Sequence, residues 1–234
     1  MMSSTYLKML SSLGIGGAHP GGFLLTKELI DRINLDVSAH ILDAGCGTGQ
    51  TVEFLYHLGY SVIGVDQDAK MIERAKKRFK IGEHPPFIQA DLCQLPFSEH
   101  SFDTVLSESV LAFTPTALSL PNIHYVLKKN GVFAAIEMVV TTSLTEQEQI
   151  ELQDFYGFQQ FLNEYEWTQL LEKYRFHVQE IIGEMDIDLE FEPTTEFDLS
   201  SLIDLNVFDL LQQHETLTKK YLNKLGYRIF ICKK

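Results

Sequence analysis

The fold is constrained most tightly by His40-Ile41-Leu42-Asp43-Ala44-Gly45-Cys46-Gly47-Thr48-Gly49-Gln50-Thr51, where a short apolar run ends in an acid and enters three alternating glycines. The pattern predicts a strand turning into a ligand-binding loop. Glycine lacks a Cβ and adopts positive φ freely, so a ligand can lie against the backbone. The amphipathic stretch that follows predicts a helix whose first N–H groups are free. Such a loop suits a phosphate or the carboxylate end of an amino acid.

Spacing separates those ligands. A dinucleotide fingerprint reads G-x-G-x-x-G, its third glycine allowing close helix–strand packing. Here Gly45, Gly47 and Gly49 give G-x-G-x-G, and Gln50 stands where that glycine would be. The loop resembles motif I of the class I S-adenosylmethionine-dependent methyltransferases: a hydrophobic strand, an acid, then G-x-G-x-G.

Three more segments extend the resemblance across residues 38 to 140. Ser61-Val-Ile-Gly-Val-Asp66 is a second apolar run ending in an acid, 21 residues beyond Gly45, the separation expected of a neighbouring strand. A carboxylate there can accept from both ribose hydroxyls. Phe87-Ile-Gln-Ala-Asp91-Leu92 is similar to the family's adenine-binding motif, and Phe102 to Phe113 to its active-site floor. The resemblance implies S-adenosyl-L-methionine as cofactor. It assigns Asp43, Gly45, Gly47 and Gly49 to the methionine end, Asp66 and Gln67 to the ribose, and Asp91 and Leu92 to the adenine, with Met71 packing on the ring. Ser107 would lie near the methyl group.

The implied fold is α/β: a Rossmann-like, doubly wound, seven-stranded and mostly parallel sheet with the last strand antiparallel, plus helical cap insertions. Apolar runs alternating with amphipathic stretches agree. Strands are expected near 40–44, 61–65, 86–90, 102–107, 132–139, 176–182 and 227–232. Helices are expected after Gly22, from Thr51 to Leu58, from the cap residue Asp68, and ending at Gly131. The last rests on Val126-Leu-Lys-Lys-Asn-Gly131, which is similar to a family turn with Asn130 in place of proline. The chain reads as one domain, with a core of about 23–140, 165–183 and 226–234 and caps of about 1–22, 142–165 and 184–225. The aromatics from Phe155 to Trp167 suit either a planar or lipid-like substrate or, for Trp167, Leu170, Leu171 and Tyr174 on one helical face, core packing.

A net charge of −13 and a pI near 5.0 leave little of the basic surface that gripping nucleic acid requires. The cluster Lys76-Lys77-Arg78 with Lys80 reads as the solvated face of a helix. No apolar stretch approaches the ~20 residues of a membrane span, and the N-terminus lacks the pattern of a signal peptide, so the expectation is a cytoplasmic protein. Cys46, Cys93 and Cys232 are too scattered for a disulfide framework or a zinc site.

The reading is therefore a methyltransferase acting on a small molecule. The alternatives are a non-catalytic S-adenosylmethionine-binding regulator and an NAD(P)-dependent oxidoreductase. Catalytic candidates are Glu108, just after the fourth strand, as base or amine anchor, and His19, in Gly16-Gly-Ala-His-Pro-Gly-Gly22, as lid or base. Glu137, inside an apolar strand, is either the partner of a basic group or a site residue, because a buried carboxylate without a partner is costly. His124 and His177 read as packing residues.

Overall fold

The computed structural model describes residues 4–80, 86–183 and 206–234. Seven strands, β1 (His40–Ala44), β2 (Ser61–Asp66), β3 (Phe87–Gln89), β4 (Phe102–Glu108), β5 (Leu127–Val140), β6 (His177–Gly183) and β7 (Leu225–Lys233), form one sheet in the order β3-β2-β1-β4-β5-β7-β6. β7 runs antiparallel to β5 and β6, and the remaining pairs are parallel. This is the doubly wound sheet with a reversed last strand that the sequence predicts.

Eight α-helices surround it among the described residues: α1 (Thr5–Leu13), α2 (Gly22–Ile33), α3 (Gln50–His57), α4 (Ala69–Lys77), α5 (Thr116–Val126), α6 (Glu146–Tyr156), α7 (Glu164–Lys173) and α8 (Asn206–Tyr221). Strand side chains alternate between two cores, as the period of two requires. Ile41, Ile229 and Ile231 pack with Leu25 and Leu29 of α2, Leu55 of α3 and Ile72 of α4. Leu42, Phe230 and Cys232 pack with Leu120 and Ile123 of α5 and with Trp167 and Leu171 of α7. Trp167 therefore belongs to the core, its indole N–H donating to the Met138 carbonyl at 3.0 Å.

The caps assemble a third cluster. Tyr6, Met9 and Leu13 of α1 meet Leu152, Phe155 and Tyr156 of α6 and Leu217 and Tyr221 of α8. α6 begins at Thr145, whose side chain and that of Glu148 form a capping box. Of the expected cap 184–225, residues 184–205 lie outside the described residues.

Two local expectations are corrected. Residues 5–13 form a helix, capped by the Ser4 side chain, which accepts from Leu7 N–H. The helix expected to end at Gly131 ends at Val126, because His100 and Ser101 N–H donate to the Tyr125 and Val126 carbonyls and Leu127 pairs with Phe102 as the first residue of β5. Asn130 adopts φ +60°, the left-handed turn its side chain tolerates.

No helix among the described residues is long and apolar enough to cross a membrane.

Candidate active site

The strand order reverses at β1, whose neighbours β2 and β4 diverge, so a crevice opens beyond the carboxyl ends of these strands. A cavity of about 1620 Å³ fills it, walled by the glycine loop on one side and by the segment 15–20, α6 and α8 on the other.

The loop after β1 is held by neighbours. Gly45 and Cys46 N–H both donate to the Val65 carbonyl at 2.8 Å, and Gly47 N–H donates to Asp66 Oδ2 at 3.0 Å. Each glycine has its own reason. Gly45 has φ +93°, and a Cβ there would fall 2.4 Å from Val110 Cγ2. Gly47 (φ +50°) faces open space. Gly49 (φ +80°) packs so closely that a Cβ would lie 2.8 Å from Ala75 Cβ and 3.0 Å from the Phe87 ring. The helix–strand approach expected of a third glycine at position 50 is thus made at position 49.

Arg78, at the C-cap of α4, braces the loop from behind, and Arg74 within α4 ties that helix to α1. Arg78 donates to the Thr48 carbonyl at 2.5 Å and to Glu53 Oε2 at 2.9 Å, while Arg74 reaches the Ser12 carbonyl at 3.1 Å. Lys76, Lys77 and Lys80 are exposed, but Arg78 is half-buried, which corrects its reading as part of a solvated face. Arg74 is buried, and the i, i+4 spacing of the two arginines was the available signal.

Of the sequence-predicted site residues, Asp43, Gly45, Gly47, Asp66, Gln67, Met71, Asp91, Leu92, Glu108 and His19 line the cavity. Gly49 and Ser107 do not; both are buried behind its wall. Asp43 is buried, and its Oδ2 has no hydrogen-bond partner. Burial, then the nearby Glu108 and Asp66 carboxylates, push its pKa well above the usual range. Asp66 accepts from Gly47 and from Asp68 N–H at 2.8 Å, yet burial still raises its pKa. Asp91 is exposed and accepts from Cys93 N–H at 2.8 Å. The Cys46 thiol, between the glycines, is pushed well up by burial, which leaves no thiolate for chemistry.

The two catalytic candidates, far apart in sequence, touch. His19 Nε2 lies 2.9 Å from Glu108 Oε2, with both side chains under a tenth exposed. Thr26 Oγ1 donates to Glu108 Oε2 at 2.7 Å and Thr51 Oγ1 to Oε1 at 3.3 Å. His19 Nδ1 is 3.1 Å from the Pro20 carbonyl. Burial lowers the His19 pKa, but Glu108 more than reverses this and the net direction is upward. For Glu108 burial pushes upward, and His19 with the threonines wins, holding the carboxyl below its usual value.

Glu137 is fully buried and lines the cavity, and its partners are backbone amides in place of the basic group that was one of the two expectations. Its Oε1 accepts from Val110 and Leu111 N–H at 3.2 and 2.9 Å, and its Oε2 from Ala112 N–H at 3.2 Å. Burial raises its pKa to about 8 against these bonds. Glu137 therefore fixes the turn that presses Val110 against Gly45. Ser109, between Glu108 and that turn, adopts φ +55° and lines the cavity with an unpartnered hydroxyl. Nothing in the sequence pattern marked Ser109. His124 packs on Phe176 and His177 is exposed on β6; neither lines the cavity.

Residues 42–135 match the methyltransferase domain family model. The chain is 46% identical over 232 residues to the "Uncharacterized methyltransferase YodH" of Bacillus subtilis (strain 168), covering 99% of this chain and 100% of that one. The chain belongs to the class I S-adenosylmethionine-dependent methyltransferases. Solved structures share the fold of this methyltransferase. The MccD protein superposes with a TM-score of 0.75 at 18% identity over 93% of this chain and 99% of that one. Haemonchus contortus phosphoethanolamine N-methyltransferase 2, in complex with S-adenosyl-L-methionine, gives 0.74 at 19% over 98% of this chain and 56% of that one.

Proposed function

We propose that this methyltransferase binds S-adenosylmethionine along Asp43, Gly45, Gly47, Asp66 and Asp91 and passes its methyl group to a small-molecule acceptor beneath the α1, α6 and α8 cap. One observation carries the reading: Asp43 Oδ2 and Gln50 Oε1 are buried acceptors without a donor, on residues that line the cavity beside the glycine loop. Buried acceptors need donors. The ammonium and sulfonium of the cofactor supply the positive charge that a raised-pKa carboxyl cluster lacks.

Gly47 leaves the backbone open for the methionine end, and the free lone pairs of Asp66 accept from the ribose. Asp91 and Leu92 bound the adenine end, with Met71 against the ring. When bound, the cofactor supplies a methyl group on positively charged sulfur, open to in-line displacement. The chain's contribution is alignment and exclusion of water. Both nitrogens of His19 face acceptors, the Pro20 carbonyl and the Glu108 carboxylate, an arrangement that favours the protonated ring. His19 thus serves as countercharge to Glu108 and fastens the 15–20 segment to β4, a positioning role rather than that of a base.

The neighbour from Haemonchus contortus is named for a phosphorylated amine. Among the described residues here, Lys8 is the one Lys or Arg that lines the cavity, so the shared chemistry lies at the cofactor and not at a phosphate.

Equilibrium dialysis with methyl-labelled S-adenosylmethionine tests the reading. Saturable retention displaced by S-adenosylhomocysteine and indifferent to NADH supports it; displacement by NADH alone would sink it.

A further inference from the structure

We propose that the acceptor is an amine carried on an apolar or aromatic body, seated against the aromatic wall of the cavity, and not a phosphorylated or carboxylated compound; this rests on the methyltransferase reading of the same cavity.

The wall is built by the caps and the turn after β4. Tyr6, Phe113, Tyr156, Phe158 and His214 all line the cavity. Tyr156 and Phe158 stack at 4.9 Å with 13° between planes, Tyr6 meets Tyr156 edge-on at 4.9 Å, and Phe113 lies 5.1 Å from Phe158. Protein groups already occupy the phenol hydroxyls: Tyr6 donates to the Ala18 carbonyl at 3.2 Å, and Tyr156 pairs with His214 Nδ1 at 2.9 Å. What this wall presents to a ligand is aromatic surface, the half-buried Phe113 ring and the less exposed margins of Tyr6, Tyr156 and Phe158, and such surface attracts a cation.

The rim beside that wall is acidic, and the His19 charge is taken up by Glu108. Asp154 and Glu215, exposed at the rim beside Tyr156 and His214, face the cavity, and burial keeps the His214 pKa below its usual value. An anionic acceptor would need forked or paired cations, and Lys8 alone does not form such a site. A protonated amine is instead drawn in by the rim.

The chemistry balances without a dedicated base. The ammonium releases one proton to solvent, and the nitrogen lone pair then forms the C–N bond. The carbon–sulfur bond breaks with its electrons remaining on sulfur, and a proton left on the methylated nitrogen exchanges with water. That both His19 nitrogens are engaged, by the Pro20 carbonyl and by Glu108, agrees with an acceptor that needs no base.

The test uses the protein saturated with S-adenosylhomocysteine and four probes: 2-phenylethylamine, 2-phenylethanol, phenylacetate and phenyl phosphate. The amine should bind roughly tenfold tighter than the alcohol, the scale of a desolvated cation–π contact, and both anions should bind weakest. Tyr156→Leu should bring amine and alcohol near parity. Asp154→Asn with Glu215→Gln, both on exposed residues, should narrow the gap and reduce its salt dependence. With S-adenosylmethionine in place of the product, mass spectrometry should find the N-methylated amine. Equal or tighter binding of the alcohol or either anion, or binding of none of the four, overturns the proposal while leaving the cofactor reading intact. Failure of S-adenosylhomocysteine itself to bind overturns both.

Discussion

His19 on the N-terminal segment and Glu108 at the end of β4 form a buried ion pair at 2.9 Å that ties the cap to the sheet beside the glycine loop. Breaking a buried pair strands the remaining charge and costs about 3–5 kcal/mol. His19→Ala should therefore lower unfolding free energy by that order in a urea titration, and the double variant with Glu108→Gln should recover part of it.

The same pair sets a pH window. The His19 pKa is raised in the fold, so its contribution is complete below the ordinary 6.5 and fades as pH rises through the folded value. The Glu108 pKa is lowered, so its contribution is complete above the ordinary 4.5 and fades as pH falls through the folded value. The stability difference between wild type and the double variant should be largest between 4.5 and 6.5 and shrink on either side. A difference independent of pH from 4 to 9 would show that the residues do not form a charged pair.

The glycines separate binding from packing. Gly49→Ala introduces a Cβ 2.8 Å from Ala75 at φ +80°, so it should lose about 2–4 kcal/mol of stability. Gly47→Ala has open space around it and should lose only about 1 kcal/mol, the left-handed cost, while weakening S-adenosylhomocysteine more than tenfold. Thermal unfolding with and without ligand distinguishes the two.

Glu137 acts through three backbone amides. Glu137→Ala leaves these donors buried and unpaired, at about 1–3 kcal/mol each before relaxation, and releases Val110 from Gly45. Both stability and cofactor affinity should fall. Glu137→Gln, which keeps one acceptor oxygen, should fall between. Its raised pKa of about 8 means that the fold favours the protonated form, so stability should decline as pH rises from 4.5 toward that value. Replacement by Gln should flatten that decline.

The strands and the glycine loop were legible because buried parallel strands are continuous apolar runs and because β1, β2 and β4 carry an acid, Asp43, Asp66 and Glu108, at or beside the end where the crevice opens. β1 lies where Ile41, Leu42 and Asp43 place it, and α4 begins at Asp68, whose side chain caps it. What was not legible depends on partners distant in sequence. His19 meets Glu108 across 89 residues, Arg78 reaches back to Thr48, and Glu137 finds the 110–112 turn; no period or spacing encodes these contacts. α1 was missed although Ser4 caps it and Tyr6, Met9 and Leu13 form its buried stripe, because its apolar face is completed only by α6 and α8. The aromatic run divided as the periodicity of its parts allowed: Trp167 went to the sheet core, and Tyr156 and Phe158 to the cavity wall.

The central claim, that Asp43, Asp66 and the glycine loop form a cofactor site, is tested most directly by calorimetric titration of S-adenosylmethionine and S-adenosylhomocysteine into the wild type, Asp43→Asn and Asp66→Ala, with NADH as control. One site per chain is expected for both adenosyl ligands, at least tenfold weaker in each variant, with no heat from NADH. Folded wild-type protein that takes up neither adenosyl ligand, or variants that bind them as tightly as wild type, would contradict it.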